Sequence, residues 1–247
     1  MKIYTRDDAG NYQINNKPYV SVTTVQGKVC GIYESLVNNY HCKLCRDYNS
    51  NLFEIGNGSV QAFEDLNLGI VHAQNDRKGK AEYGKMAHKT LEDIYFNKLA
   101  ISTDFIKRCA DITKIFDELG LELIHPESTV YSNILESAGT ADIIAISRKF
   151  ADTRLYIVDY KSGSAQKRKE IVQLGAYGKF VTEMIKTGEL FIEGLGDRFT
   201  LHGLVLHIGR DDEFKVKPTY ITPQQMTLGG KAYKDLLGYY RYTKTKL

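Results

Sequence analysis

A chain of 247 residues with 33 basic and 30 acidic side chains, a net charge of +3 and 43% hydrophobic residues has an ordinary globular balance and enough apolar material for a core. So small a positive excess excludes a polycationic tail-type binder, and any nucleic-acid surface must come from local clustering. No apolar run approaches a membrane span, the amino terminus lacks a signal-peptide pattern, and four cysteines make no disulfide scaffold, so the expectation is a cytosol-like compartment with no membrane partner.

A turn-like cluster, Asp7 to Gly10, separates two short alternating stretches and predicts a small hairpin, Lys2–Thr5 with Tyr12–Ile14. In the following stretch, Tyr19–Val25, hydroxyls stand ready to cap a helix that begins near Gly27 or Tyr33; a plain strand and cap is the simpler reading. Residues 28–75 read as helical and irregular, with a loop over Asn51–Ser59 that turns at Asn57 and Gly58. Cys42 and Cys45 are spaced as half of a zinc or iron–sulfur site. Cys30 and Cys109 complete no motif, and reduced cysteines on a helix face are the alternative.

Arg77, Lys78, Lys80, Lys85 and Lys89 form a basic cluster that runs into a helix from Gly84, with apolar positions at Met86, Ala87, Leu91, Ile94 and Tyr95. His88 and Glu92, four apart, share one side of it. A lone helical histidine is usually structural, but imidazole is also a competent metal ligand. An amphipathic helix over Asp104–Leu119 ends at Gly120. The next stretch, Leu121–Ser132, predicts a strand carrying Glu127, Thr129 and Tyr131 on one side. Glu127 either adds a carboxylate to a site or pairs with a lysine.

Two apolar runs, Ala141–Ser147 and Leu155–Tyr160, flank a charged segment, Arg148–Arg154, and predict a hairpin. Folding it between Phe150 and Ala151 sets Asp142 opposite Asp159, with Cβ atoms roughly 4.5–5.5 Å apart. Lys161, two residues on, projects from the same face as Asp159. The neighbours Ile143, Ile144, Ile157 and Val158 are apolar on both sides, as in the middle of a covered sheet. Two carboxylates so placed repel, and one is expected to shift toward protonation unless a cation joins them. Oxygen ligands suit magnesium or manganese. The plainer alternative leaves Asp142 in a turn and pairs Asp159 with Lys161 or an arginine.

A helix follows to about Lys186, with Gln173 and Tyr177 on one face and Gly175 and Ala176 permitting close packing. Leu201–Ile208 and Phe214–Ile221 predict a second strand pair. A last helix from near Pro223 carries Lys231, Lys234, Arg241, Lys244 and Lys246, either a solvated face or a phosphate contact. No repeat or clear linker interrupts the chain. The reading is therefore one α/β (α+β) domain over residues 1–247, a central mixed β-sheet flanked by helices. Residues 1–75 give an N-terminal hairpin and helical region, 76–221 the core, and 222–247 a C-terminal helix.

Four pieces occur in order: Gly84-x3-His88-x2-Leu91-Glu92, then Gly139-Thr140-Ala141-Asp142, then Ile157-Val158-Asp159-Tyr160-Lys161-Ser162-Gly163, then Gln173-x3-Tyr177. Together they resemble the RecB-like branch of the PD-(D/E)XK nuclease superfamily, and the segment from Ser21 to Thr24 resembles its small phage and mitochondrial exonucleases. The resemblance covers Gly84–Tyr177 well, the start loosely, and the last third only in its order of elements. It implies a restriction-endonuclease-like core with an N-terminal arch that restricts access to ends. It implies Asp142, Asp159, His88 and the Tyr160 carbonyl as ligands of one or two magnesium or manganese ions, with Lys161 as the catalytic lysine and Glu127 as a further acidic position. Gln173, Tyr177 and Lys169 would grip the substrate backbone or brace Lys161, with Lys85 a further substrate contact.

The function so implied is a DNA exonuclease acting on single strands or ends in phage-type recombination, replication or repair. A recombination or replication protein would be its partner, and the host cytoplasm its location were the source viral. Related nucleases bind an iron–sulfur cluster with one upstream cysteine and three near the carboxy terminus. No cysteine follows Cys109 here, so the resemblance does not support that cluster. The competing readings are a non-catalytic DNA-binding or assembly protein with the same fold, an endonuclease or RNA-directed enzyme, and a metal-binding module around Cys42 and Cys45.

Overall fold

The computed structural model describes residues 4–7, 11–29, 79, 82–96, 106–162, 167–196, 198–209 and 216–244. The expected arch, the loop at Asn57, Cys30, Cys42, Cys45, Arg77, Lys78 and Lys80 lie outside them. Among the described residues the chain builds β1 (Tyr4–Arg6), β2 (Tyr12–Ile14), β3 (Lys17–Ser21), α1 (Val22–Val29) and α2 (82–95). Then come α3 (Ile106–Leu119), β4 (Leu121–Ser132), β5 (Ser137–Ser147), β6 (Arg154–Lys161) and α4 (Lys167–Lys186). The sequence closes with β7 (Thr200–His207), β8 (Lys217–Ile221) and α5 (Pro223–Lys244). This is a mixed α/β fold, an eight-stranded sheet flanked by helices. No described helix is long and apolar enough to cross a membrane.

The sheet runs β1-β2-β3-β5-β6-β7-β8, with β4 paired to β5 as well. β4 follows β5 along its whole length, from Leu121 opposite Ser147 to Ser132 opposite Ser137. The other edge of β5 is shared. β3 runs parallel to it at Ser137 and Ala138, and β6 runs antiparallel to it from Ile143 to Ser147. Residues 139–142 therefore sit in a fork where the two neighbours diverge and neither pairs with that edge.

Strands β5 and β6 are apolar on both faces because both are covered. Ile144, Ile146, Leu155 and Ile157 pack with Leu174, Phe180, Met226 and Tyr233 under α4 and α5. On the reverse face, Ile143, Ala145, Tyr156 and Val158 pack with Ala87, Leu91, Ile112 and Phe116 of α2 and α3. Each fully buried Ile or Leu contributes roughly 1.5–3 kcal/mol by leaving water.

Local signals set the ends. α3 stops at Gly120, whose φ of +61° suits a residue without Cβ. α5 opens on a reciprocal cap in which Thr222 N donates to Gln225 Oε1 and Gln225 N donates to Thr222 Oγ1. The two long helices meet at glycine: a Cβ on Gly229 would overlap the Ile171 carbonyl oxygen, and one on Gly175 the backbone nitrogen of Gly230. Backbone cannot yield as a side-chain tip does, so Gly229→Ala is expected to lower stability by about 1–3 kcal/mol, read as a lower Tm in thermal unfolding.

Several expectations change. α1 begins at Val22, not near Gly27 or Tyr33, since Ser21 already ends the strand. β1 is Tyr4–Arg6 rather than Lys2–Thr5, with residues 1–3 outside the description. Met86 is 46% exposed, leaving Ala87 and Leu91 as the buried positions of α2. Glu127, Thr129 and Tyr131, by contrast, keep the alternate positions expected of them, because the register with β5 is unbroken from Pro126 opposite Ile143 to Tyr131 opposite Ala138. The slip lies earlier, between Leu123 and His125, and Glu127 has a φ of +40°. Tyr131 is buried and donates to the Glu189 carboxylate, and Thr129 lines a small cavity that Met184 and Glu189 also line.

Candidate metal centre

The hairpin register is the expected one. Ile143 faces Val158 and Ile144 faces Ile157, so Asp142 and Asp159 come next across from one another at the mouth of the fork. Both belong to the alternation that buries Ile144 and Ile157 beneath α4, and both are buried. Where the ladder opens, the Asp142 side chain replaces a strand partner: Tyr160 N donates to its Oδ2 at 2.6 Å. Lys161 Nζ lies 2.6 Å from Asp159 Oδ2. Gln173 Nε2 donates both to Asp159 Oδ1, at 3.1 Å, and to the Tyr177 hydroxyl, at 3.1 Å. Each carboxylate is thus held by one hydrogen bond from a rigid element. Tyr177 can lie across the fork because position 139 is glycine, where a Cβ would overlap its ring.

α2 closes the cavity from the reverse face. His88 Nδ1 is 3.4 Å from Asp142 Oδ1, and its Nε2 is 3.0 Å from the Tyr160 carbonyl oxygen. Glu127 enters from β4. One donor atom each from His88, Glu127 and Asp142 lies within 4.8 Å of the others. The left-handed φ of Glu127 is the kind of backbone strain, about 1–3 kcal/mol for a residue with a Cβ, that collects at functional sites. The cavity, about 690 Å³, is also lined by Arg6, Tyr12, Thr23, Gly84, Lys85, Lys89, Glu92, Thr140, Lys161, Gln173 and Tyr177.

The charges are crowded. Burial, eased by Lys161 and aggravated by Asp142, raises Asp159 to about 6. The expected shift toward protonation is therefore present, but desolvation outweighs the repulsion between the two acids. Desolvation at the cavity wall, then Asp142, raises Glu127 to about 7. Burial alone would lower His88, yet its hydrogen bond to Asp142 and the two aspartate charges prevail and raise it to about 9. Lys161 likewise is raised, burial notwithstanding, by Asp159 and Asp142, and remains an ammonium at neutral pH. His88, Glu127 and Asp142 are close enough to share a cation, whereas Asp159 lies outside that group, its oxygens held by Lys161 and Gln173.

The fold thus brings together His88, Glu127, Asp142, Asp159, Tyr160, Lys161, Gln173 and Tyr177, with Lys85 at the wall. Lys169 is not among the lining residues; its carbonyl accepts from Gln26 Nε2 at 3.1 Å, on the side of α4 facing α1. Sequence reasoning missed Arg6, Tyr12, Thr23 and Thr140. Tyr12 reaches the site only through the β3–β5 pairing, where its hydroxyl meets Thr140 Oγ1 at 2.8 Å. Thr140 lay inside a motif already singled out, and no pattern in the sequence marks Arg6.

Because Gln173 orients Asp159 without lining up as a ligand itself, Gln173→Ala is expected to cost 10–100-fold in metal affinity or activity. Metal titration of the variant, with its Tm as the control, checks this.

No protein-family model matches the chain, and no curated protein matches it. Among solved structures, the crystal structure of SSO0001 is 14% identical over 81% of this chain and 74% of its own, with a TM-score of 0.27. At that score the likeness supports no conclusion about fold relationship or activity.

Proposed function

We propose that the protein is a metal-dependent phosphodiesterase, a DNA exonuclease of the PD-(D/E)XK kind. The observation that carries the reading is the ammonium of Lys161, 2.6 Å from Asp159, beside a second buried acid and an imidazole that share one open cavity. The four ordered motifs of the RecB-like branch supply its residues, and cations at the wall suit a phosphate backbone. Asp142, Asp159, His88, Glu127 and the Tyr160 carbonyl would hold one or two magnesium or manganese ions. When bound, the metal would lower the pKa of water and neutralise charge on the phosphoryl oxygens.

The chain's own part follows from its geometry. Hydrolysis forms one P–O bond to water and breaks one to the sugar; water loses a proton and the leaving oxygen gains one. Lys161, kept charged by its two aspartates, serves as a fixed positive charge for the developing oxyanion rather than as the base. Gln173 and the Tyr160 N–H hold the two aspartates in place, so little reorganisation accompanies the reaction. Lys85 and Arg6 offer phosphate contacts without base readout, which makes binding sensitive to salt.

Linear and circular single-stranded DNA with manganese separate the forms of this reading. An exonuclease degrades the linear strand and leaves the circle intact. Cutting of the circle makes it an endonuclease, and no metal-dependent cleavage of any DNA or RNA refutes a nuclease.

A further inference from the structure

A second groove runs between α4 and α5, about 640 Å³ in volume. Its rim carries Lys179 and Lys186 from α4 and Lys231 and Lys234 from α5. All four are exposed. Elsewhere Lys17, Lys89 and Lys161 reach carboxylates; among the described residues none of these four has one within ion-pair distance. The acid lining the groove, Glu183, is engaged by other donors: its Oε2 accepts from Ser132 Oγ at 2.6 Å and its Oε1 from Ile134 N at 3.2 Å. A chain with a net charge of only +3 thus gathers four uncompensated lysines along one cleft.

The cleft exists because the helices approach at glycine. Gly175, Gly178 and Gly230 let the helices close up, and Thr182, Leu201, Met226 and Thr227 line the groove between the rims. At 1.5 Å per residue, Lys179 and Lys186 stand about 10 Å apart along one side of α4. Phosphates of one strand recur every ~3.4 Å along a duplex axis, so that interval spans about three of them. Gln173 and Tyr177 face the metal centre from the opposite side of the same helix, at 3.6 residues per turn.

We propose that the α4–α5 groove is a second nucleic-acid contact, gripping the phosphate backbone of a strand outside the metal centre. Its ligand class rests on the nuclease reading; its charge pattern does not. Flexible ammonium groups on the rims meet phosphate charge rather than base edges, so the grip is independent of sequence and loosens with salt.

The test is binding of labelled single-stranded DNA in EDTA across a salt series. It compares wild type with Lys179→Gln/Lys231→Gln and with a control of equal charge change on α3, Lys107→Gln/Lys114→Gln. The groove variant is expected to bind roughly tenfold more weakly, and its log K against log salt slope to fall by about 1.4, at ~0.7 for each phosphate that is no longer neutralised. The control keeps the wild-type slope. Equal losses in both variants, or an unchanged groove variant, overturn the proposal. So does unchanged DNA binding together with poly-glutamate binding that only the groove variant loses, which would assign the groove to an acidic protein segment. Metal is absent throughout, so failure of cleavage by wild type counts against the nuclease and leaves this result standing.

Discussion

Lys161→Met is expected to reduce metal-dependent cleavage by about 10²–10³-fold, the usual effect of removing one preorganised charge from a developing oxyanion. The loss should fall on kcat. Lys161 touches Asp159, which lies outside the donor group of His88, Glu127 and Asp142, so manganese binding should persist. Asp142→Asn should behave differently. It leaves an oxygen to accept from Tyr160 N but removes the negative charge that faces His88, and metal response and cleavage should vanish together. Isothermal titration with manganese, beside single-turnover cleavage, separates the two cases. Equal loss of metal binding in both variants would make Lys161 a structural partner of Asp159 and nothing more.

The stabilisation conferred by manganese is expected to grow as pH rises. Without metal, Asp159 is raised from 3.8 to about 6 and Glu127 from 4.5 to about 7. An acid whose folded pKa is raised favours the fold most when protonated, so stability falls as pH climbs from its unfolded value through its folded one. His88, raised from 6.5 to about 9, contributes stability that is complete below 6.5 and is lost as pH rises through about 9. All three therefore make the metal-free protein less stable between about 4 and about 9. The same three groups must shed protons before they bind a cation, so affinity moves the other way. The difference in Tm with and without manganese should be small below about 6 and widen steadily to above 9, where free metal at a hundred times Kd stabilises the fold by about 2.7 kcal/mol. A difference that shrinks over this range would mean that manganese binds elsewhere.

Much of this centre was legible because its geometry is local. A short charged turn between two apolar runs leaves one comfortable register, and that register alone sets Asp142 across from Asp159 and Lys161 two residues on. Spacing by four did the same for Gln173 and Tyr177, both of which turn to the cavity. The left-handed backbone of Glu127 was not legible, because no glycine in Pro126-Glu127-Ser128 announces a φ of +40°. Nor was the fork. β3 meets β5 across more than a hundred residues of chain, and no periodicity records so distant a pairing. Tyr12, Thr23 and Arg6 came with it. The α4–α5 groove was visible only as lysines on a helix, since its depth depends on which glycines meet across the interface.

The central claim is that the two facing aspartates and the lysine beside them form a cation-dependent hydrolytic centre. Cleavage of labelled linear single-stranded DNA by wild type and by Asp159→Asn, each with manganese and with EDTA, addresses it most directly. The account predicts degradation by wild type with manganese alone and none by the variant under either condition, with both proteins folded. Degradation by Asp159→Asn at the wild-type rate, or by wild type in EDTA, would contradict it.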